Sequence, residues 1–280
     1  MVLDGELLPL ILLKTLLYAF VLAGAGQGLL AMFFQESTPA LRRFAAPTAL
    51  CGGLVTTGFF LALWHWSGGF ADDLAFARDI ALILLGSDQG YQLVLFLIGF
   101  AALGIWRLPA SVRIVFSVTG LGLGTVLTGH SGSFGNFYMM KLAHGLHVLA
   151  AAFWFSALVP MLVLTGKRQA GSFPEDFGQR APAFLVALVL SGGFLAFGIV
   201  QSLANLLILE GYGGWFLLKL FLAAGLLLLG VLNRFVLVPL GAPFRLLRIS
   251  MKLELLLMVG IFLSLSVMTI AEPPLWHREA

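Results

Sequence analysis

Cysteine is nearly missing from this chain. Cys51 is the single one among 280 residues, so an intrachain disulfide is impossible and a cysteine-cage metal site is excluded. Charge is equally scarce. Asp, Glu, Lys and Arg together make up 10% of the residues, against about 25% in a soluble domain. Apolar residues make up 60%, and this combination indicates an integral membrane protein. The start, Met-Val-Leu-Asp-Gly-Glu, lacks a positive n-region, and the apolar run after it is too long for an h-region. A cleavable signal peptide is therefore not expected. The net charge of +3 does not suggest nucleic acid; in a membrane protein a basic excess reflects cytoplasmic loops.

A spanning helix needs about 20 apolar residues. Eight runs qualify as candidates, at about 7–34, 47–66, 90–106, 111–129, 138–165, 181–209, 215–240 and 251–271. The expected fold is all-α: eight transmembrane helices in one bundle, forming a single polytopic domain over 1–280, with the lipid bilayer as its partner. Several runs exceed the bilayer thickness, which implies tilt or protrusion. The 67–89 loop holds a segment, 71–85, with acids early and apolar residues later. It reads as an amphipathic interfacial helix or as a lid.

Lys and Arg set the orientation. One set of loops carries Arg42, Arg43, Arg107, Arg113, Lys167, Arg168, Arg180, Arg245, Arg248 and Lys252. The other holds Arg78, Lys141 and Arg278, with most of the acids, among them Asp72, Asp73, Asp79, Asp88 and Glu210. The first set is expected to be cytoplasmic, with both termini on the opposite, periplasmic side. All five histidines then fall in the outer half, which points to a site facing outward.

The Gly-rich runs around Gly24–Gly28 and Gly120–Gly124 resemble nucleotide loops only by count. Neither follows a strand and both lie inside spanning runs. They read as Gly-x-x-x-Gly faces that let helices approach closely.

The chemistry concentrates between positions 129 and 154. A short Gly/Ser loop carries His130, and the helix after it carries Met140, His144 and His147. The spacing of 140, 144 and 147 is i, i+4, i+7, so a thioether and two imidazoles share one helix face. Imidazole with thioether suits a soft or borderline metal, copper above all. Ionisable groups at membrane depth default to function, although paired core histidines with Met as filler would give the same pattern. Met139 points to another face and could join through the loop. His130, flanked by glycine, could fold over the top of that helix as a further ligand. His65, between Trp64 and Trp66, reads as part of an interfacial anchor, and His277 as a solvated tail residue.

Other polar residues have structural readings. Lys14 and Lys219 either snorkel or set the electrostatics of an outer cavity. Arg234 and Glu254 are expected at similar depth, as an ion pair locking two helices. Cys51 and Met32 are weak candidates for a soft-ligand relay.

These residues resemble the copper resistance protein D family, the CopD/PcoD-like inner-membrane proteins. The resemblance begins at Gly129-His130-Ser131 and is strongest in His147-Val148-Leu149-Ala150-Ala151-Ala152-Phe153-Trp154. It resumes at Tyr212-Gly213-Gly214-Trp215-Phe216-Leu217-Leu218-Lys219, then at Asn233-Arg234 with Pro239, Glu254 and Pro273. It covers roughly 115–275. The chain departs from the family at Phe155-Ser156-Ala157-Leu158, where glycines are usual. The resemblance implies copper handling in copper homeostasis or resistance at the bacterial inner membrane, commonly beside a periplasmic CopC-like copper-binding protein. It also implies transport, usually described as uptake into the cytoplasm. It supports His130 and His147 as ligands, whereas His144 and Met140 rest on spacing.

Three readings follow. The first is a copper-binding membrane protein that takes copper from the periplasm and passes it inward, with His130, His144 and His147 as ligands and Met140 or Met139 favouring Cu(I). No ATPase signature, phosphate loop or phosphorylatable motif occurs, so such transport would be passive or coupled to an ion gradient. The second is a redox protein holding haem b between two of His65, His130, His144 and His147. The third is a copper chaperone or assembly factor that does not transport. No catalytic residue is expected, and oligomeric state is not legible.

Overall fold

The computed structural model describes residues 7–34, 38–68, 73–105, 107–127, 137–164, 173–200, 212–240 and 243–270. These are helical almost throughout. The long helices are α1 (Leu8–Phe33), α2 (Thr38–Trp66), α6 (Phe137–Leu164), α7 (Phe173–Val200), α8 (Tyr212–Leu232) and α9 (Phe244–Ile270). Between α2 and α6 lie α3 (Leu74–Gly86), α4 (Asp88–Gly104) and α5 (Ala110–Phe116), the last running on through a π turn (Ser117–Gly122) and a 3₁₀ turn (Leu123–Val126).

Each of the eight apolar runs overlaps a helical segment, although 128–129 and 201–209 lie outside the described residues, and not all are long single helices. Among the described residues six helices are long and apolar enough to cross a membrane, and a seventh span results if α3 and α4 are taken together across their 74° bend. The run at 90–106 is the 17-residue α4. The run at 111–129 breaks into α, π and 3₁₀ turns and counts as a short apolar helix. Its breaks are satisfied internally: Gln92 Nε2 on α4 donates to the Gly124 carbonyl at 3.3 Å, and Thr125 Oγ1 donates to the Gly122 carbonyl at 2.6 Å.

The α3–α4 bend comes from Ser87. Its hydroxyl donates to the Leu84 carbonyl at 2.7 Å, ending α3, and accepts from the Gly90 N–H at 3.1 Å, capping α4. Gly90 is needed there, since a Cβ would sit 2.0 Å from the Leu84 oxygen. Asp73 caps the other end of α3 through the N–H of Ala75 at 2.9 Å. No residue of α3 is buried, so the expected amphipathic segment is a helix that packs little apolar area into the bundle.

α1 is the hub. It packs against α2, α6, α9 and the π turn. Its interior residues, among them Leu17, Val21, Ala25 and Leu30, are buried. Gly24 and Gly28 face Leu121 and Ser117 of the broken segment, and Gly120 faces the Leu95 carbonyl and Gly99 of α4. The glycine runs are thus contact faces between helices, as the spacing indicates. Gly26 lets α1 approach α6 most closely, with the Ala152 carbonyl and the Ser156 hydroxyl against it. That serine lies in the stretch departing from the glycines usual in the resembled family. An aromatic group fills the region between α1, α6 and α7. Phe153 stacks on Phe184 with centroids 3.7 Å apart and on Phe177 at 5.2 Å.

The outward faces are as apolar as the interior. Leu50, Leu54, Leu190, Phe197, Phe221 and Leu228 are each at least 65% exposed. Soluble proteins rarely leave continuous surfaces of this kind to water, and together with the apolar helices they mark a multi-pass membrane protein.

Candidate metal site on α6

Met140, His144 and His147 fall on α6, and the structure shows what that face meets. Met140 is buried and lies against Gly198 of α7. His147 lies against Gly192 of α7. Two glycines six residues apart on α7 thus provide the room for a thioether and an imidazole to enter the α6–α7 seam.

His147 is held in one tautomer. Its Nδ1 is 3.2 Å from the Leu188 carbonyl of α7, and a carbonyl oxygen only accepts, so Nδ1 carries the proton. Ser191 Oγ stands 3.4 Å from the same nitrogen, while its own hydroxyl donates to the Ala187 carbonyl at 2.5 Å. Its lone pair is therefore what faces the ring. The imidazole is left with Nε2 as its only basic atom. This is the arrangement that orients a metal-binding histidine: one ring nitrogen tied to a carbonyl, the other available.

His144 is one turn nearer the start of α6. Its Nδ1 is buried and has no hydrogen-bond partner among the described residues. Buried ring nitrogens are normally paired, so this atom is a polar group awaiting a partner. Lys219, on α8, is near enough that its charge, when it is protonated, acts on both rings. The donor set fits copper in its chemistry, with two imidazoles, one thioether and no carboxylate. It is incomplete as a cage: no group of three or more His, Cys, Asp or Glu positioned for a metal occurs among the described residues.

The other expected residues are placed as follows. Met139 is 56% exposed and points away from the seam. His65 is exposed at the end of α2; α2 packs against α1, α3 and α4, whereas α6 packs chiefly against α1 and α7. His130 and His277 lie outside the described residues. Lys14 sits 6.0 Å over the ring of Phe59, a cation–π contact within the bundle. Cys51 and Met32 are both exposed.

The expected Arg234–Glu254 pair is replaced by a different arrangement. Glu254 is buried on α9 and accepts from Trp154 Nε1 of α6 at 3.2 Å and from Asn233 Nδ2 at the end of α8. Arg234, the next residue, is exposed and extends to Gly178 of α7. The reason is local geometry. Residues Asn233–Leu237 form a π turn, closed by the bond from the Val238 N–H to the Asn233 carbonyl at 3.0 Å. That wide turn presents Asn233 to α9 and carries Arg234 outward. Neither this turn nor the contributions of Leu188 and Ser191 leave a mark in helical periodicity; the Ser191-Gly192-Gly193 cluster was the signal available for α7.

Residues 171–268 match the family model described as copper resistance protein D. The matched stretch holds α7, α8 and α9 up to residue 268, hence Ser191, Lys219, Asn233 and Glu254, and lies within the span of the resemblance seen in the sequence. No curated protein and no solved structure matches the chain.

Proposed function

We propose that this chain, whose residues 171–268 match the copper resistance protein D model, is a membrane protein of that type that binds copper at the α6–α7 seam and passes it from the periplasm toward the cytoplasm. The observation that carries this reading is His147, whose Nδ1 is fixed by the Leu188 carbonyl on the same helix face as the partnerless Nδ1 of His144 and the buried Met140. His147 would bind through Nε2, His144 through its free ring nitrogen and Met140 through sulfur. His130, from the loop before α6, would complete the set, with Met139 as a loop-side alternative.

Cu(I) is the favoured state. Thioether and imidazole suit it, and Lys219 adds a second argument. Repulsion from a neighbouring cation scales with the charge of the metal, so Lys219 opposes a divalent ion about twice as strongly as a monovalent one. In this reading the chain crosses the bacterial inner membrane eight times, with α4 and the broken α5 segment as the two short spans. Both termini are periplasmic, and a periplasmic CopC-like protein delivers the metal.

Copper flux into proteoliposomes tests the proposal. The wild-type protein should accumulate copper, and the double variant His144→Ala, His147→Ala should not. Copper binding without flux in the wild type would instead indicate a chaperone or assembly factor.

A further inference from the structure

Glu254 is the only carboxylate among the buried residues described. From α6 it meets Trp154 and from the π turn after α8 it meets Asn233. Among the described residues it forms no salt bridge. Arg234, which follows Asn233 in the π turn, extends to Gly178 of α7. A membrane-buried carboxyl held only by neutral partners is the kind of group that serves proton pathways.

The partners suit both of its protonation states. As an anion, Glu254 accepts from the indole N–H at Oε2 and from the Asn233 amide N–H at Oε1. As a neutral acid it gains an O–H that needs an acceptor. Asn233 Oδ1 is that acceptor: it is buried and has no partner in the present arrangement. A half-turn of the Asn233 amide exchanges its N–H₂ for its carbonyl at Oε1, and the amide switches from donor to acceptor. The Trp154 N–H stays on Oε2 throughout. In each state both oxygens of the Glu254 carboxyl are paired, and the difference between the states is one proton and one amide rotation.

We propose that Glu254 is a proton-binding site inside the bundle, with Asn233 and Trp154 as its positioning residues, and that it supplies the coupling proton for copper movement. In the binding step the carboxylate takes one proton from the aqueous phase and becomes the neutral acid; release returns both to the starting state. The link to copper rests on the reading of the α6–α7 seam given above. It runs through α6: Trp154 is seven residues beyond His147, so the two share a helix face about 10 Å apart along the axis. A shift of α6 when copper engages His144 and His147 moves the indole that holds Glu254.

The proton site is tested without copper. Infrared difference spectra of the purified full chain in nanodiscs, between acidic and alkaline buffer, should contain a carboxylic-acid C=O band that disappears in Glu254→Gln. In Trp154→Phe, which removes one N–H and keeps the carboxyl, the band should persist at a shifted frequency. A titrating band unchanged in both variants overturns the proposal. If Glu254→Gln does not fold, the Trp154→Phe shift decides alone, and its absence overturns the site. Coupling is read in proteoliposomes containing a pH dye. Copper entry should move protons in the wild type, and Glu254→Gln should lose that movement while binding the same amount of copper. Equal proton movement in the variant overturns the coupling. Absence of copper flux in the wild type overturns the transport reading and the coupling with it, while the infrared band still decides the proton site.

Discussion

His147 Nδ1 and the backbone carbonyl of Leu188 lie 3.2 Å apart across the seam between α6 and α7. A side chain on one helix is thereby oriented by the main chain of another, which no substitution at position 188 can delete. Ser191 provides a second, longer contact to the same nitrogen at 3.4 Å. Removing an outer partner of a metal-binding histidine costs about 10- to 100-fold in affinity. Because the carbonyl remains, Ser191→Ala should weaken copper binding by less than about tenfold. His147→Ala should abolish measurable binding. Competition titration with a Cu(I) chelator checks both.

Lys219, when protonated, is a cation whose charge reaches the proposed copper ligands. Its charge should oppose metal entry, so Lys219→Met should tighten copper binding by about tenfold, equivalent to roughly 1.4 kcal/mol. The same titration measures it. Weaker binding in the variant would mean that Lys219 assists the site in a way repulsion does not describe.

The α1–α6 contact depends on Gly26. An added Cβ would lie 2.0 Å from the Ala152 carbonyl oxygen and 2.3 Å from Ser156 Oγ, neither at the end of a long, flexible side chain. Gly26→Ala should destabilise the fold by about 1–3 kcal/mol, seen as a lowered melting temperature in detergent. Gly53 on α2 is the control: a Cβ there meets nothing within 4 Å. Gly53→Ala should leave the melting temperature unchanged or slightly raised, since alanine favours a helix over glycine by up to about 1 kcal/mol.

Phe153 is fully buried and stacks on both Phe184 and Phe177. Phe153→Ala should cost about 3–5 kcal/mol, enough to lower expression of folded protein as judged by size-exclusion chromatography. Phe221→Ala, at a side chain that is 76% exposed, should be far milder.

Much of this architecture was readable in advance, for reasons that differ by element. Long apolar runs with charged flanks announce helices in a bilayer, so α1, α2, α6, α7, α8 and α9 were plain. The run at 111–129 was equally apolar, but hydropathy carries no information on backbone geometry, and its π and 3₁₀ turns depend on tertiary partners such as Gln92. The i, i+4, i+7 spacing put Met140, His144 and His147 on one face because helical periodicity fixes it. What that face meets is a property of another helix, so Leu188 and Ser191 could not be read from it. The Arg234–Glu254 expectation rested on similar depth in adjacent helices. One π turn beginning at Asn233 gave the carboxylate an amide in place of the guanidinium.

Metal content of the purified, detergent-solubilised protein after growth in copper tests the central claim most directly. The account predicts copper near one equivalent per chain without iron, lost in the His144→Ala, His147→Ala double variant. Near-stoichiometric iron with a Soret band would contradict it and make the same histidines axial ligands of a haem.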